Sequence, residues 1–171
     1  MWSAPRSAKS LAYKSIIRPI MEYGCQVWNP HQRTNIDLLE KVQRRAARWS
    51  CGSQWNPSSL SWSKSSDVCL KELLWPTLLL RRQYLSIIAL YDILHKLYPL
   101  KFSDYCKLSA TCTRKHALTI LPTQSTINAY RYSFFVNISF LWNSIPFNIL
   151  SLSNVKEFRH SLKSYLFYNH S

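Results

Sequence analysis

The sequence predicts an all-α or mostly α fold, a helical bundle with long irregular loops and room for one short β element. The chain of 171 residues contains only 2 Gly beside 8 Pro, which leaves few residues for the tight turns of β-hairpins. Apolar side chains recur at helical spacing in several stretches. With 47% hydrophobic residues, the chain is also apolar enough to form a buried core.

The N-terminal third predicts two helices. The first covers residues 7–23, where Pro19 bends or divides it. Its apolar residues on one side are Leu11, Ile16, Ile17 and Ile20. The second covers residues 34–50, because Thr34 or Asn35 can cap its first amides and Asp37 suits the positive end of the helix dipole.

The second helix has two stripes when its residues are projected at 100° per residue. The basic stripe consists of Lys41, Arg44, Arg45 and Arg48. The apolar stripe consists of Leu38, Leu39, Val42, Ala46 and Trp49. This pattern predicts a helix with one solvent-exposed basic face and one buried apolar face. Tyr and Trp residues near basic ones, such as Trp28, Trp49 and Trp55, can stack on single-stranded bases, although core packing is the ordinary role of most of them.

The remaining elements are predicted from the positions of the prolines and from apolar periodicity. A short helix over residues 67–74 precedes a long helix over 76–98, for which Pro76 suits the first turn. Residues 99–128 are weakly patterned, although 117–121 can form one short strand. An aromatic helix is predicted over 129–143 and a final helix over 154–168. Asn154 and Glu157 form a capping pattern at the start of the final helix.

These elements group into five segments that we expect to form one compact unit. The segments are basic helices (1–50), a loop (51–66), a core helical hairpin (67–98), an irregular linker (99–128) and C-terminal aromatic and basic helices (129–171).

Charge favours a polyanionic partner. The chain has 22 Lys and Arg against 8 Asp and Glu, a net charge of +14, and phosphates relieve the mutual repulsion of such an excess. The carboxylates are too scattered for a local acid pair that binds two metal ions. They are Glu22, Asp37, Glu40, Asp67, Glu72, Asp92, Asp104 and Glu157. Without a glycine-rich phosphate loop either, the sequence argues against the common nucleotide-binding enzymes.

The cysteines and the apolar stretches predict an intracellular protein, in the nucleus or the cytoplasm. Five Cys are an odd number at wide spacing, and the first ten residues lack the apolar run of a signal peptide. No stretch supplies the roughly 20 clean apolar residues that span a bilayer, so we expect no membrane contact. Cys106, Cys112 and His116 resemble part of a zinc site, but their spacing is wider than usual and a fourth ligand is missing.

Several separated blocks give the chain a family resemblance. They are AYKSIIRPIMEYGCQVWNPH (12–31), IDLLEKVQRRAARW (36–49), LKELLWPTLLLRR (70–82), LYDIL (90–94), YRYSFF (130–135) followed by LWNSIP (141–146), and VKEFRHSLKSYL (155–166). In this order they resemble the thumb and downstream region of LINE-type, jockey-like non-LTR retrotransposon reverse transcriptases. Where that family reads SFFPRT, this chain reads SFFVNI, with Val136 and Asn137 in place of the proline and arginine.

The resemblance implies a nucleic-acid grip without a catalytic centre. It implies that Lys41, Arg44, Arg45 and Arg48 hold the backbone of an RNA or DNA template–primer, supported by Arg18 in the first block. The family's catalytic aspartates and its magnesium ions belong to the palm domain, and no block here matches that motif. The resemblance therefore implies a chain that is no enzyme on its own, that has no cofactor, and whose partner is the missing palm.

Two other functions stay open at this point. A helical protein-interaction or scaffold module with no nucleic-acid role is consistent with a chain that once packed against a palm and now exposes an apolar surface. A small zinc-binding factor built on Cys106, Cys112 and His116 is the third hypothesis.

Overall fold

The computed structural model describes residues 4–109, 118–121 and 126–168, and it confirms the mostly α-helical fold. The helices are α1 (Arg6–Ala12), a π-helical segment (Tyr13–Ile17), α2 (Arg18–Glu22), α3 (Cys25–Trp28), α4 (Arg33–Ser50), α5 (Ser66–Leu73), α6 (Leu78–Leu94), a 3₁₀ segment (Phe102–Asp104), α7 (Asn128–Arg131), α8 (Phe134–Asn143), α9 (Phe147–Leu150) and α10 (Val155–Tyr168). None of the helices in these ranges combines the length and the apolar content needed to cross a bilayer.

Four short strands form two antiparallel pairs within the described ranges. Strand β1 (Trp55–Asn56) pairs with β2 (Ser61–Trp62), so the predicted loop over residues 51–66 contains a hairpin. Strand β3 (Lys107–Leu108) pairs with β4 (Ile120–Leu121). The two residues of β4 are the last two of the strand predicted over 117–121.

The chain divides into two compact units. The N-terminal unit comprises Met1–Cys25 and Pro30–Arg81, and the C-terminal unit comprises Gln26–Asn29 and Arg82–Ser171. The boundary at residue 82 falls inside the predicted segment 67–98. The predicted grouping into five segments stays a prediction.

The N-terminal unit has a small core with a polar centre. Tyr13 stacks on Trp75 at 4.5 Å between ring centroids. Burial raises the pKa of Tyr13, which keeps its hydroxyl protonated and able to donate to Gln43 Oε1 at 3.0 Å. Gln43 Nε2 in turn donates to the Pro76 carbonyl at 2.8 Å. The buried amide of Gln43 therefore joins the start of the chain, α4 and the entry to α6.

The predicted first helix is divided, and its apolar side is exposed. The π-helical segment widens the turn at Tyr13–Ile17, which changes the phase of the residues that follow it. The residues of this stretch that are buried are Lys9, Tyr13 and Met21. The predicted apolar residues are exposed instead: Leu11 by 67%, Ile16 by 65%, Ile17 by 41% and Ile20 by 73%.

The C-terminal unit has a larger core of aromatic and aliphatic side chains. Tyr91 on α6 stacks on Phe158 on α10 with ring centroids 3.9 Å apart, and Trp142 on α8 is also buried in this cluster. Helix α10 contributes Phe158, Leu162 and Leu166 to this core, and all three are buried. The capping pattern is confirmed: Asn154 Oδ1 accepts from the Lys156 amide at 2.9 Å, and Asn154 Nδ2 donates to Glu157 at 3.2 Å.

The side chain of Asn143 fixes strand β4 in the C-terminal unit. Its Oδ1 accepts from the Ile120 amide at 3.0 Å, and its Nδ2 donates to the Ile120 carbonyl at 2.8 Å. The same segment is held by Trp142, whose indole Nε1 donates to the Leu118 carbonyl at 2.9 Å. These three bonds satisfy backbone groups that a two-residue strand leaves open.

Several helix bounds differ from the prediction for identifiable reasons. The long helix ends at Leu94, four residues early, because Lys96 adopts a left-handed conformation with φ +57°. The Leu97 amide donates to Asp92 O at 2.8 Å and the Lys96 amide donates to Ile93 O at 3.1 Å, the bond pattern of a Schellman ending. The aromatic helix predicted over 129–143 is two helices, α7 and α8, because Ser133 is extended.

Candidate nucleic-acid interface

Helix α4 carries the basic stripe that the sequence predicts. Its buried residues are Gln43, Ala46, Ala47 and Ser50, which recur at helical spacing and lie on the side opposite the stripe. Lys41 and Arg45 are exposed, whereas Arg44 and Arg48 are half-buried. The structure therefore brings the four predicted cations together on one outward-facing side of a single 18-residue helix.

No described carboxylate forms an ion pair with any of these four cations. The two acids on α4 are engaged elsewhere: Asp37 pairs with Arg33 at 3.4 Å, and Glu40 accepts from the Leu79 amide at 2.9 Å. The positive charge of the basic stripe is consequently not neutralised within the described part of the chain. Such an uncompensated row of cations attracts polyanions.

The prediction of a buried apolar face on α4 is wrong in part. Leu38 is 56% exposed and Val42 is 42% exposed, whereas Ala46 is buried as predicted. The buried face is rotated toward Gln43 and Ala47, because two adjacent alanines permit close packing and Gln43 forms two buried hydrogen bonds. The predicted apolar stripe did not include Gln43, because its side chain is polar and its buried partners are distant in sequence. An apolar strip containing Leu38 and Val42 thus lies beside the basic stripe.

The hairpin of β1 and β2 contacts the end of the basic stripe. The Arg48 guanidinium carbon lies 4.6 Å from the centroid of the Trp62 ring, within cation–π range. Trp62 is the cross-strand partner of Trp55, and their ring centroids are 5.4 Å apart in an edge-to-face arrangement. Both tryptophans are exposed, Trp55 by 46% and Trp62 by 41%. Sequence reasoning named Trp55 and missed Trp62, because nothing in the local pattern pairs the two residues.

The other two tryptophans named from the sequence lie in different surroundings. Trp49 is half-buried at the end of α4, and the ammonium group of Lys9 lies 5.6 Å from its ring centroid. Trp28 is 39% exposed and belongs to the C-terminal unit. The cation that contacts Trp49 is therefore Lys9, which is not part of the basic stripe.

Arg18 lies in a separate ion-pair cluster. Its Nε is 3.6 Å from Glu22 Oε1, and Arg81 also binds Glu22 through Nε and through Nη2, the latter at 2.9 Å. Burial and the neighbouring Arg81 lower the pKa of Arg18, whose side chain is only 24% exposed. The structure thus engages Arg18 with Glu22 and places it on α2, apart from the four residues of the basic stripe. A role for Arg18 toward nucleic acid stays a prediction.

The described residues contain no metal site that would support the zinc hypothesis. Within residues 4–109, 118–121 and 126–168, no group of three or more His, Cys, Asp or Glu side chains is placed to hold a metal ion. Cys106 is buried, and that burial raises the pKa of its thiol to about 11. Cys112 and His116 lie outside the described residues, so this hypothesis stays a prediction.

Comparison with known proteins gives one partial match. A probable RNA-directed DNA polymerase from the transposon X-element of Drosophila melanogaster is 35% identical to this chain over 49 residues. The match covers 29% of this chain and 5% of the length of that polymerase. It supports a relationship to reverse-transcriptase-like sequences. No model of a known protein family matches the chain, and no solved structure matches it.

Proposed function

We propose that this chain is a catalytically incomplete thumb and C-terminal part of a LINE-type retrotransposon reverse transcriptase, and that its N-terminal unit binds nucleic acid without sequence preference. The basic stripe on α4 carries this proposal, because two exposed and two half-buried cations lie there on one side of the helix without a described carboxylate partner. The match to a transposon polymerase supports the origin, and the net charge of +14 supports the ligand. The place of action is inside the cell, in the nucleus or the cytoplasm.

Each cation of the basic stripe meets one backbone phosphate in this proposal. Binding a phosphate releases a condensed counterion, so affinity falls as salt concentration rises. Arginine also offers two parallel donors to phosphate oxygens, which suits Arg44, Arg45 and Arg48 to this role. Because phosphates are shared by all sequences and by RNA and DNA, such contacts give affinity with no base specificity.

Polymerisation is absent from the proposed function. Nucleotidyl transfer needs carboxylates that hold two metal ions close together, and the eight acids of this chain include no adjacent or next-adjacent pair. The palm domain of the parent polymerase would supply both the carboxylates and the magnesium. Primer extension by the purified chain with Mg²⁺ would contradict this part of the proposal.

The test compares two double variants of equal charge. Lys41→Gln with Arg45→Gln removes two exposed cations from the basic stripe, and Lys156→Gln with Lys163→Gln removes two exposed cations from α10. Binding of a mixed-sequence oligonucleotide is measured by fluorescence anisotropy at several salt concentrations. The α4 variant should reduce the steepness of the decline of log affinity with log salt by about 1.4 to 1.8, whereas the α10 variant should leave it nearly unchanged. Equal slopes for the native chain and the α4 variant would remove the basic stripe from the interface.

A protein-interaction module is the second candidate function, and the exposed apolar residues of α1 and α2 favour it. Leu11, Ile16 and Ile20 are each more than 60% exposed. Exposed apolar patches mark surfaces that another protein covers, and the missing palm is the partner that the resemblance implies. Self-association that rises with protein concentration and is insensitive to salt would favour this candidate. Replacement of Ile16 and Ile20 by Gln should then abolish the association.

A further inference from the structure

We propose that Trp55 and Trp62 form an aromatic platform that stacks the bases of a single-stranded nucleic acid at the end of the basic stripe. The inference rests on the proposed function, since the cations on α4 would bind the phosphates of the strand and so bring the strand to the hairpin. It adds a second kind of contact, to bases, and it names the preferred form of the ligand, a single strand.

The exposure of the two indoles is the first observation. Tryptophan carries a large apolar ring that proteins usually bury, yet Trp55 and Trp62 are 46% and 41% exposed on a hairpin whose four strand residues are all exposed. Cross-strand pairing of the two rings, with centroids 5.4 Å apart, explains why they contact each other. It does not explain why so much of both rings is left to solvent.

The hairpin is held by polar contacts that do not involve the indole rings. Ser53 Oγ accepts from the Lys64 amide at 3.0 Å and donates to the Lys64 carbonyl at 2.9 Å. The Ser63 amide donates to the Gln54 carbonyl at 2.8 Å, and Lys64 Nζ binds Glu72 at 3.0 Å. The base of the hairpin is therefore closed beside α5, and the platform is formed before any ligand arrives.

Arg48 connects the platform to the basic stripe. Its guanidinium lies 4.6 Å from the Trp62 ring centroid, while its backbone is one turn from Arg44 and Arg45 on α4. A strand whose phosphates run along Lys41, Arg44 and Arg45 thus reaches Arg48 and the two indoles at the C-terminal end of the helix. Charged grooves joined to aromatic side chains are the usual construction of sites for single strands, because every base has a face that can stack.

A duplex cannot use the platform, since its bases are paired and stacked on each other. The phosphates of a duplex remain available to α4, so a duplex should bind through the basic stripe alone. The structure consequently predicts tighter binding of a single strand than of a duplex with the same sequence. RNA and DNA single strands share this chemistry, and both should show the preference.

The test separates bases from phosphates. Anisotropy titrations compare a dT 12-mer, a U 12-mer, an abasic 12-mer with the same phosphates, and a duplex of equal length. The native chain should bind the two base-containing single strands about 10-fold or more tighter than the abasic strand, as expected for one stacked base. Trp55→Leu with Trp62→Leu should remove that difference, because the base-containing strands then keep only the phosphate contacts that the abasic strand also makes. Trp62→Phe, which keeps an aromatic face, should retain part of it.

Controls make the outcomes distinct. Trp28→Leu removes an exposed tryptophan of the C-terminal unit and should leave the preference intact. Circular dichroism and the melting temperature of each variant check that the fold is kept. Equal affinity of the native chain for the dT and abasic strands would overturn the platform while leaving the proposed function standing. Failure to bind any of the four ligands would overturn the proposed function and the platform together.

Discussion

The two units of the molecule are built on different kinds of core. The C-terminal unit buries large side chains from α6, α8, α9 and α10, such as Trp142 and Phe158. The N-terminal unit has a smaller core, in which Tyr13, Trp75 and Leu78 pack with two alanines and the amide of Gln43 is buried, and it leaves large apolar residues of α1 and α2 exposed. The comparison teaches that the two units are stabilised differently: the C-terminal unit relies on aromatic and aliphatic packing, whereas the N-terminal unit combines a smaller apolar core with a buried, hydrogen-bonded amide.

The largest expected effect tests the core of the C-terminal unit. Phe158 is fully buried and stacks on Tyr91, so Phe158→Ala should lower the free energy of unfolding by about 3 to 5 kcal/mol. Urea denaturation followed by circular dichroism measures the change. Phe140→Ala is the matched control, because Phe140 is 58% exposed and its loss should cost little. A similar loss for both variants would contradict the assignment of the core.

A smaller effect is expected from the polar centre of the N-terminal unit. Gln43→Leu keeps the volume but leaves the Tyr13 hydroxyl and the Pro76 carbonyl without their partner, which should cost about 1 to 3 kcal/mol. Urea denaturation measures it, and Gln54→Leu at an exposed position should be nearly neutral. If Gln43→Leu were stabilising, the core of this unit would resemble that of its neighbour, and the contrast would fail.

The smallest effect concerns the exposed pair that anchors the hairpin. The Lys64 ammonium hydrogen-bonds Glu72 and lowers the pKa of that carboxyl. A carboxyl whose folded pKa lies below its unfolded value stabilises the fold above the unfolded pKa, and this contribution is lost as pH falls through the folded pKa. Glu72→Gln should therefore lower the melting temperature slightly at pH 7 and not at pH 2. A deficit that persisted at pH 2 would assign the effect to packing instead of charge.

The sequence predicted the elements whose signals are local. Helix α4 and helix α10 combine apolar periodicity with helix-favouring residues, and both lie within a residue of their predicted starts. The cation stripe of α4 follows from spacing alone, because four residues fix their relative angles on a helix.

Three features of the structure were not predicted from the sequence, and the first of them, the burial of Gln43, depends on contacts distant in sequence. Gln43 is buried because Tyr13 and Pro76 supply hydrogen-bond partners 30 and 33 positions away, which no local pattern reveals. The expected cap at Thr34 or Asn35 is wrong, since the N-cap of α4 is Gln32, without a side-chain cap bond. The pairing of Trp55 with Trp62 required a hairpin in a stretch that reads as a loop. Of these three misses, the burial of Gln43 is the one that tertiary contacts explain, whereas the cap and the hairpin are local features that the sequence pattern did not reveal.

Two helix ends in this chain suggest how far its sequence lies from the most stable one for its backbone. Leu74, directly after α5, has φ +51°, and Lys96, after the end of α6, has φ +57°. Both residues lie in the left-handed region that glycine occupies without strain. Because a side chain there costs about 1 kcal/mol or more, glycine at either position should raise the melting temperature. Natural variation at these two positions is therefore a readout of whether selection still acts on the durability of the folded chain.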